Sequence, residues 1–171
     1  MSFANHIARS AWCLVIASVN RIHVDIWSNG DCEPFNKLLS KQTAFLRGEL
    51  KSRDNLARFF NEFIDWRATL EADDSLGWLA ADLAMAALYA SVETLFDEEC
   101  DDVGLLNQYI DDILGDLIEM QPEMEPLQQY SSELLQEFTA SWSSVRQVPV
   151  SKDFFQWLGQ QDTSLFGVAD D

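Results

Sequence analysis

From residue 68 to residue 145 the chain contains no lysine and no arginine. Over the same stretch it carries 18 aspartates and glutamates. The first 67 residues are different in kind, with nine basic and seven acidic side chains. The net charge of −18 therefore belongs almost entirely to the middle of the molecule. Binding to nucleic acid is driven by lysine and arginine neutralising phosphates, and docking on anionic membrane needs the same charges. Neither partner is expected here. Such a charge favours solubility and attracts cationic partners.

Glycine (7) and proline (4) are scarce, which speaks against an all-β chain with many tight turns. Histidine is scarcer still: His6 and His23 are the only two, and neither follows a glutamate three residues earlier. A carboxylate-bridged di-iron bundle built on Glu-x-x-His pairs is thus not expected. The phosphate-cradling GxxxxGK[ST] loop, GxGxxG, GxSxG and HExxH are all absent, as is an EF-hand loop. Cys13, Cys32 and Cys100 are odd in number and far apart, so no disulfide framework is implied and a cytoplasmic location is expected. Cys32 and Cys100 each lie between two acidic residues, which disfavours the reactive thiolate; Cys13 reads as core.

What is present is apolar. Hydrophobic residues make up 47% of the 171 positions, too many for a disordered chain. Their spacing is helical almost throughout. A first helix is expected from about Phe3 to Trp27, with Trp12, Val15, Ile16, Val19, Ile22 and Ile26 on one face. The apolar run after Arg9 gives way to Asn20, Arg21 and His23 within the same pattern, which argues against a cleaved signal. A second helix follows Pro34 up to Leu50, and a third starts near Asp54, a plausible N-cap, and runs to about Leu70. Leu76–Phe96 is apolar on nearly every side and rich in alanine. It is long enough to cross a membrane, but Asp82, Glu93 and its small side chains favour a central, enclosed helix. The next helix has the cleanest stripe: Leu105, Leu106, Tyr109, Ile110, Ile113, Leu114, Leu117 and Ile118. A further helix begins at Pro126, and Ser151 can cap a short last one. Residues 167–171 read as a frayed tail. The expectation is one all-α domain over residues 1–171, a bundle of six to seven helices around the alanine-rich one.

Carboxylates are the only abundant chemistry. Acids three or four apart share one helix face and can share a divalent ion. Glu62 with Asp65, Asp112 with Asp116, and Asp116 with Glu119 have that spacing. They would hold Mg or Mn if the protein were a metal-dependent hydrolase of a phosphorylated small molecule, yet any phosphate would have to borrow cations from the first helices. The reading that fits the charge better is a non-enzymatic module for a basic protein partner, needing no cofactor. Its face would be Asp73, Asp74, Asp97, Glu98, Glu99, Asp101, Asp102, Asp111, Asp112 and Asp116. Asp82 stands apart: a carboxylate in an apolar helix needs a partner, and Arg67, Arg21 or a helix N-terminus could supply it. Of the six tryptophans only Trp66 lies off its stripe, where it could anchor an interface, and a homo-oligomer is possible.

Three segments carry a family resemblance. They are Ala11-Trp12-Cys13-Leu14 leading to the Asn29-Gly30-Asp31 turn; Gly77-Trp78-Leu79-Ala80-Ala81-Asp82 with the alanine-rich helix behind it; and the late Trp142 helix with a short helix after it. In this order they resemble the bacterial YjaG-like family of small helical proteins. The resemblance implies an all-helical cytoplasmic protein and supplies no substrate or site.

Overall fold

The computed structural model describes residues 3–169. These form eight α-helices: α1 His6–Val19, α2 Arg21–Ser28, α3 Glu33–Leu46, α4 Arg53–Arg67, α5 Leu76–Phe96, α6 Asp102–Met120, α7 Glu125–Trp142 and α8 Lys152–Gly159. A 3-10 turn at Pro122–Met124 precedes α7, and the described residues contain no strand. The protein is an all-α bundle.

The central helix is α5, in contact with α1, α2, α3, α4 and α6. Its alanines make this possible. Ala80, Ala81, Ala84, Ala87 and Ala90 are buried on several sides of the helix, and small side chains let five neighbours approach. α5 is the one described helix long and apolar enough to cross a membrane, and most of it is buried inside the protein. α1 runs antiparallel to α5, since Ser10 meets Ser91 while His6 reaches Glu98. α4 also runs antiparallel to it, with Arg53 on the Leu95 carbonyl, Phe60 against Tyr89 and Arg67 on Asp82. A second aromatic core joins α1, α7 and α8, where the Phe138 ring meets Phe3, Trp12, Trp142, Phe154 and Trp157.

The first helix departs from expectation. It ends at Val19, and α2 begins at Arg21. The cause is Asn20, fully buried, whose amide donates to the Ile16 carbonyl and accepts from the Leu165 N–H. Ile26, expected on the buried face, is consequently 59% exposed. This break brings the helix count to eight. α3 stops at Leu46 rather than Leu50, because Gly48 turns into the left-handed region at φ 80° to close the helix end. α4 likewise stops at Arg67 rather than about Leu70, and Ser52, not Asp54, caps it by accepting from the Asn55 N–H. Ser75 and Ser151 cap α5 and α8. In the expected frayed tail, residues 167–169 fold back: Thr163 and Ala169 form an antiparallel bridge, and the Ser164 N–H donates to the Val168 carbonyl. Residues 170–171 of that tail lie outside the described residues.

Three helices are clamped by a buried polar knot. The Ser10 hydroxyl donates to the Ser91 carbonyl at 2.6 Å and the Ser91 hydroxyl returns the bond to the Ser10 carbonyl at 2.8 Å. Gln42 of α3 donates to both hydroxyl oxygens at 2.9 Å. The reciprocal pair fixes the register of α1 on α5, and Gln42 fixes α3 on both.

Candidate functional site

The acidic residues expected to form one face fall into four places. Asp97, Glu98 and Glu99 lie in the exposed loop after α5, which folds over the start of α1. There His6 pairs with Glu98 at 2.9 Å, and the Arg9 guanidinium donates to the Glu98, Phe3 and Ala4 carbonyls. Asp101 borders the same groove. This part of the face is therefore partly compensated by cations from the first helix. Asp73 and Asp74 lie at the other end of α5, where Asp73 accepts from the Ser75 N–H at 2.7 Å.

The third place is the outer side of α6. Asp112, Asp116 and Glu119 are exposed and, with Leu105 and Gln108, fall within roughly 80° of helix circumference at 100° per residue. The acids among them form a continuous stripe. Leu105 sits on that stripe and is 69% exposed, against the expectation that it packs inward. Asp111 is about 100° round from Asp112 and borders a small groove with Trp12, Gln128 and Ser132.

Glu62 and Asp65 are exposed on α4, away from this stripe, with Lys37 of α3 near enough to feel the Glu62 charge. Among the described residues no three histidine, cysteine, aspartate or glutamate side chains come together in a way that could hold a metal ion. The carboxylates proposed for Mg or Mn are thus not brought into one cluster.

The remaining place is a cleft of about 300 Å³ beside α5 and α6, lined by Arg67, Ala86, Tyr89, Ala90, Asp102, Leu105, Leu106 and Tyr109. Two of these lining residues are tied to Asp82, which accepts from Arg67 at 3.0 Å on one oxygen and from the Tyr109 hydroxyl at 2.8 Å on the other. Of the three partners suggested by sequence, Arg67 is the one the fold delivers. Tyr109 was not anticipated, since it reads as one more stripe residue; a hydroxyl at a core-facing position is the signal that marks it. Burial, then the bond to Asp82, pushes the Tyr109 phenol well above its ordinary value, so it remains a donor at neutral pH.

Asp102 enters the cleft from the first turn of α6. Its Oδ2 is buried and has no hydrogen-bond partner. Nearby on α5, Glu93 has its pKa raised, first by burial and then by the charges of Asp102 and Asp97. Asp102 is thus the carboxylate bordering the cleft, with the Glu93 charge near enough to feel it, while Arg67, the cation among the described lining residues, is held by Asp82. The walls are aromatic and aliphatic, with Tyr89 tilted against Phe60 at 5.2 Å between ring centres. Trp66, the suggested interface anchor, is half-buried and packs against the core, its ring 6.1 Å from that of Phe63.

All three cysteines are free, and Cys100 is partly exposed. Cys13 and Cys32 are buried, and burial pushes the Cys13 thiol far above its ordinary range. His23 is tied to the C-terminal segment, its Nε2 2.8 Å from the Ser164 hydroxyl. Burial lowers its pKa, so the neutral ring is favoured.

The chain matches no family model, no curated protein and no solved structure.

Proposed function

We propose that the protein is a non-enzymatic acidic module that binds a basic protein partner. One observation carries this reading. Of the 18 acids between residues 68 and 145, Asp82 pairs with Arg67 and Glu98 with the His6 imidazole, and among the described residues no other lies within ion-pair distance of a lysine, arginine or histidine. The others repel one another across the surface, and a cationic partner relieves that repulsion on binding. Complementarity of this kind raises the association rate and selects the partner by charge.

The test uses a fluorescent 12-residue peptide of alternating lysine and alanine, with glutamine replacing lysine in the control. Anisotropy titrations between 50 and 300 mM NaCl give the affinity and its salt slope. The lysine peptide binds, its affinity falls steadily with salt, and the D112N/D116N/E119Q variant shows a shallower slope. Equal binding of the two peptides, or a requirement for added divalent ion, sinks the reading.

A further inference from the structure

The cleft beside α5 and α6 combines three features that are separate elsewhere on the molecule. It has a volume of about 300 Å³, mostly apolar walls that include two tyrosines, and at its border Asp102, one of whose carboxylate oxygens is buried with no hydrogen-bond partner. A carboxylate taken out of water without a donor is costly unless something supplies one. Among the described residues none does so at Asp102 Oδ2, because Arg67 is held by Asp82 and Tyr109 donates to the same group. The group that fits is a cation on a flexible apolar stem.

We propose that this cleft receives a single arginine or lysine side chain of the basic partner. The stem would lie along Ala86, Ala90, Leu105 and Leu106, and the charged head would reach Asp102 between the rings of Tyr89 and Tyr109. Aromatic faces add attraction for a cation, most of all where water is excluded. The exposed Leu105 becomes the apolar lip of the pocket, which accounts for a leucine left on an otherwise acidic stripe. The inference rests on the binding-module reading and sharpens it: the stripe gathers the partner through long-range charge, and the cleft anchors it.

Two measurements separate the anchor from the stripe. In the first, butylguanidinium chloride is titrated into ¹⁵N-labelled protein, with butyramide and NaCl as controls. Saturable shifts confined to amides of residues 86–90 and 102–109, absent with butyramide and absent in Ala86→Phe, support the proposal. Unsaturable shifts spread along residues 112–119, equal to those from NaCl, overturn it. In the second, affinity for the lysine–alanine peptide at 150 mM NaCl is compared between Asp102→Asn, Ala86→Phe and D112N/D116N/E119Q. A loss of about tenfold in the first two supports the anchor, in keeping with the cost of truncating one partner of a desolvated charge pair. Wild-type affinity in both cleft variants, with loss only in the stripe variant, overturns the anchor and leaves the acidic module standing. No peptide binding by the wild-type protein overturns both. Should Asp102→Asn unfold because it opens α6, Ala86→Phe and the titration of the wild-type protein decide alone.

Discussion

The two halves of this protein use charge in opposite ways. Before residue 68, every lysine and arginine except Lys51 is engaged by the fold. Lys37 pairs with Glu33 at 2.9 Å, Lys41 and Arg58 sit over the Phe59 ring, Arg47 over Phe155 and Arg53 over Phe45. Arg9 and Arg21 donate to backbone carbonyls and Arg67 to Asp82. These cations bury their stems on rings and satisfy helix ends, so their charge helps hold the structure together. From residue 68 to 145 the carboxylates do little of that. A few accept from neighbouring amides, as Asp112 does from Gln108 and Glu133 from Gln129. Apart from Glu93 and Asp102, which are partly buried, the rest face solvent and each other. Charge that stabilises nothing internally is free for a partner, and the difference between the halves is the physical basis of the proposed function.

The place to break the comparison hardest is Arg67, where the cationic half hands one guanidinium to the acidic half. Arg67→Met leaves Asp82 without its charge partner inside an apolar helix. Loss of a fully buried pair member costs about 3–5 kcal/mol. Here the side chains are 28% and 22% exposed, so about 2 kcal/mol is expected, or roughly 6 °C in the melting midpoint. Adding Asp82→Leu to Arg67→Met removes the stranded charge and returns most of that loss, though it leaves the Tyr109 hydroxyl without its acceptor. A midpoint unchanged by Arg67→Met would mean the acidic half tolerates internal charge as readily as surface charge.

One group in each half, Glu93 and His23, responds to acid with opposite sign. Glu93 has a folded pKa raised above the ordinary carboxylate value of 4.5. Its contribution to stability is full below that value and is lost as pH rises through the folded value. Glu93→Gln therefore raises the melting midpoint at pH 7 and leaves it unchanged at pH 4. His23 has a folded pKa lowered from 6.5. The folded state resists protonation, so His23 costs stability as pH falls through 6.5. His23→Gln flattens the stability profile between pH 7.5 and 5.5, read by thermal melts in matched buffers. Opposite slopes in the two variants sharpen the contrast; parallel slopes erase it.

Much of this architecture is legible in the chain itself. Leu76–Phe96 stands out because apolar residues cover every side of it, and the structure encloses it with the same bounds. Asp82 is legible as a group needing a partner, and Arg67 as one that could reach it. What escapes is anything that depends on a distant segment. Asn20 breaks the first helix because its amide meets the Leu165 backbone, 145 positions away, and no local pattern carries that information. Gln42 reads as a polar gap in the stripe of α3, yet it is fully buried because Ser10 and Ser91 lie opposite it. The cleft escapes for a related reason. Tyr89 and Tyr109 fit the apolar periodicity, and only the packing of α6 on α5 shows that both rings border a space with Asp102 inside it.

The smallest effect tests the comparison at a single surface atom. Asp116 has Asp112 four residues before it and Glu119 three residues after it, all on the exposed side of α6. Like charges at these spacings destabilise a helix by about 0.2–0.5 kcal/mol per pair. Asp116 also lies near the C-terminal end of α6, where the helix dipole disfavours negative charge. Asparagine and aspartate have similar helix propensity, so neutralisation leaves the backbone preference nearly unchanged. Every contribution thus has the same sign, and Asp116→Asn should stabilise the protein by about 0.5 kcal/mol at low salt. The gain should shrink between 50 and 500 mM NaCl, because screening already relieves the wild-type protein. A variant that loses stability would show that Asp116 is engaged by the fold after all. The acidic half would then be using its charge as the cationic half does, with less of it left for a partner.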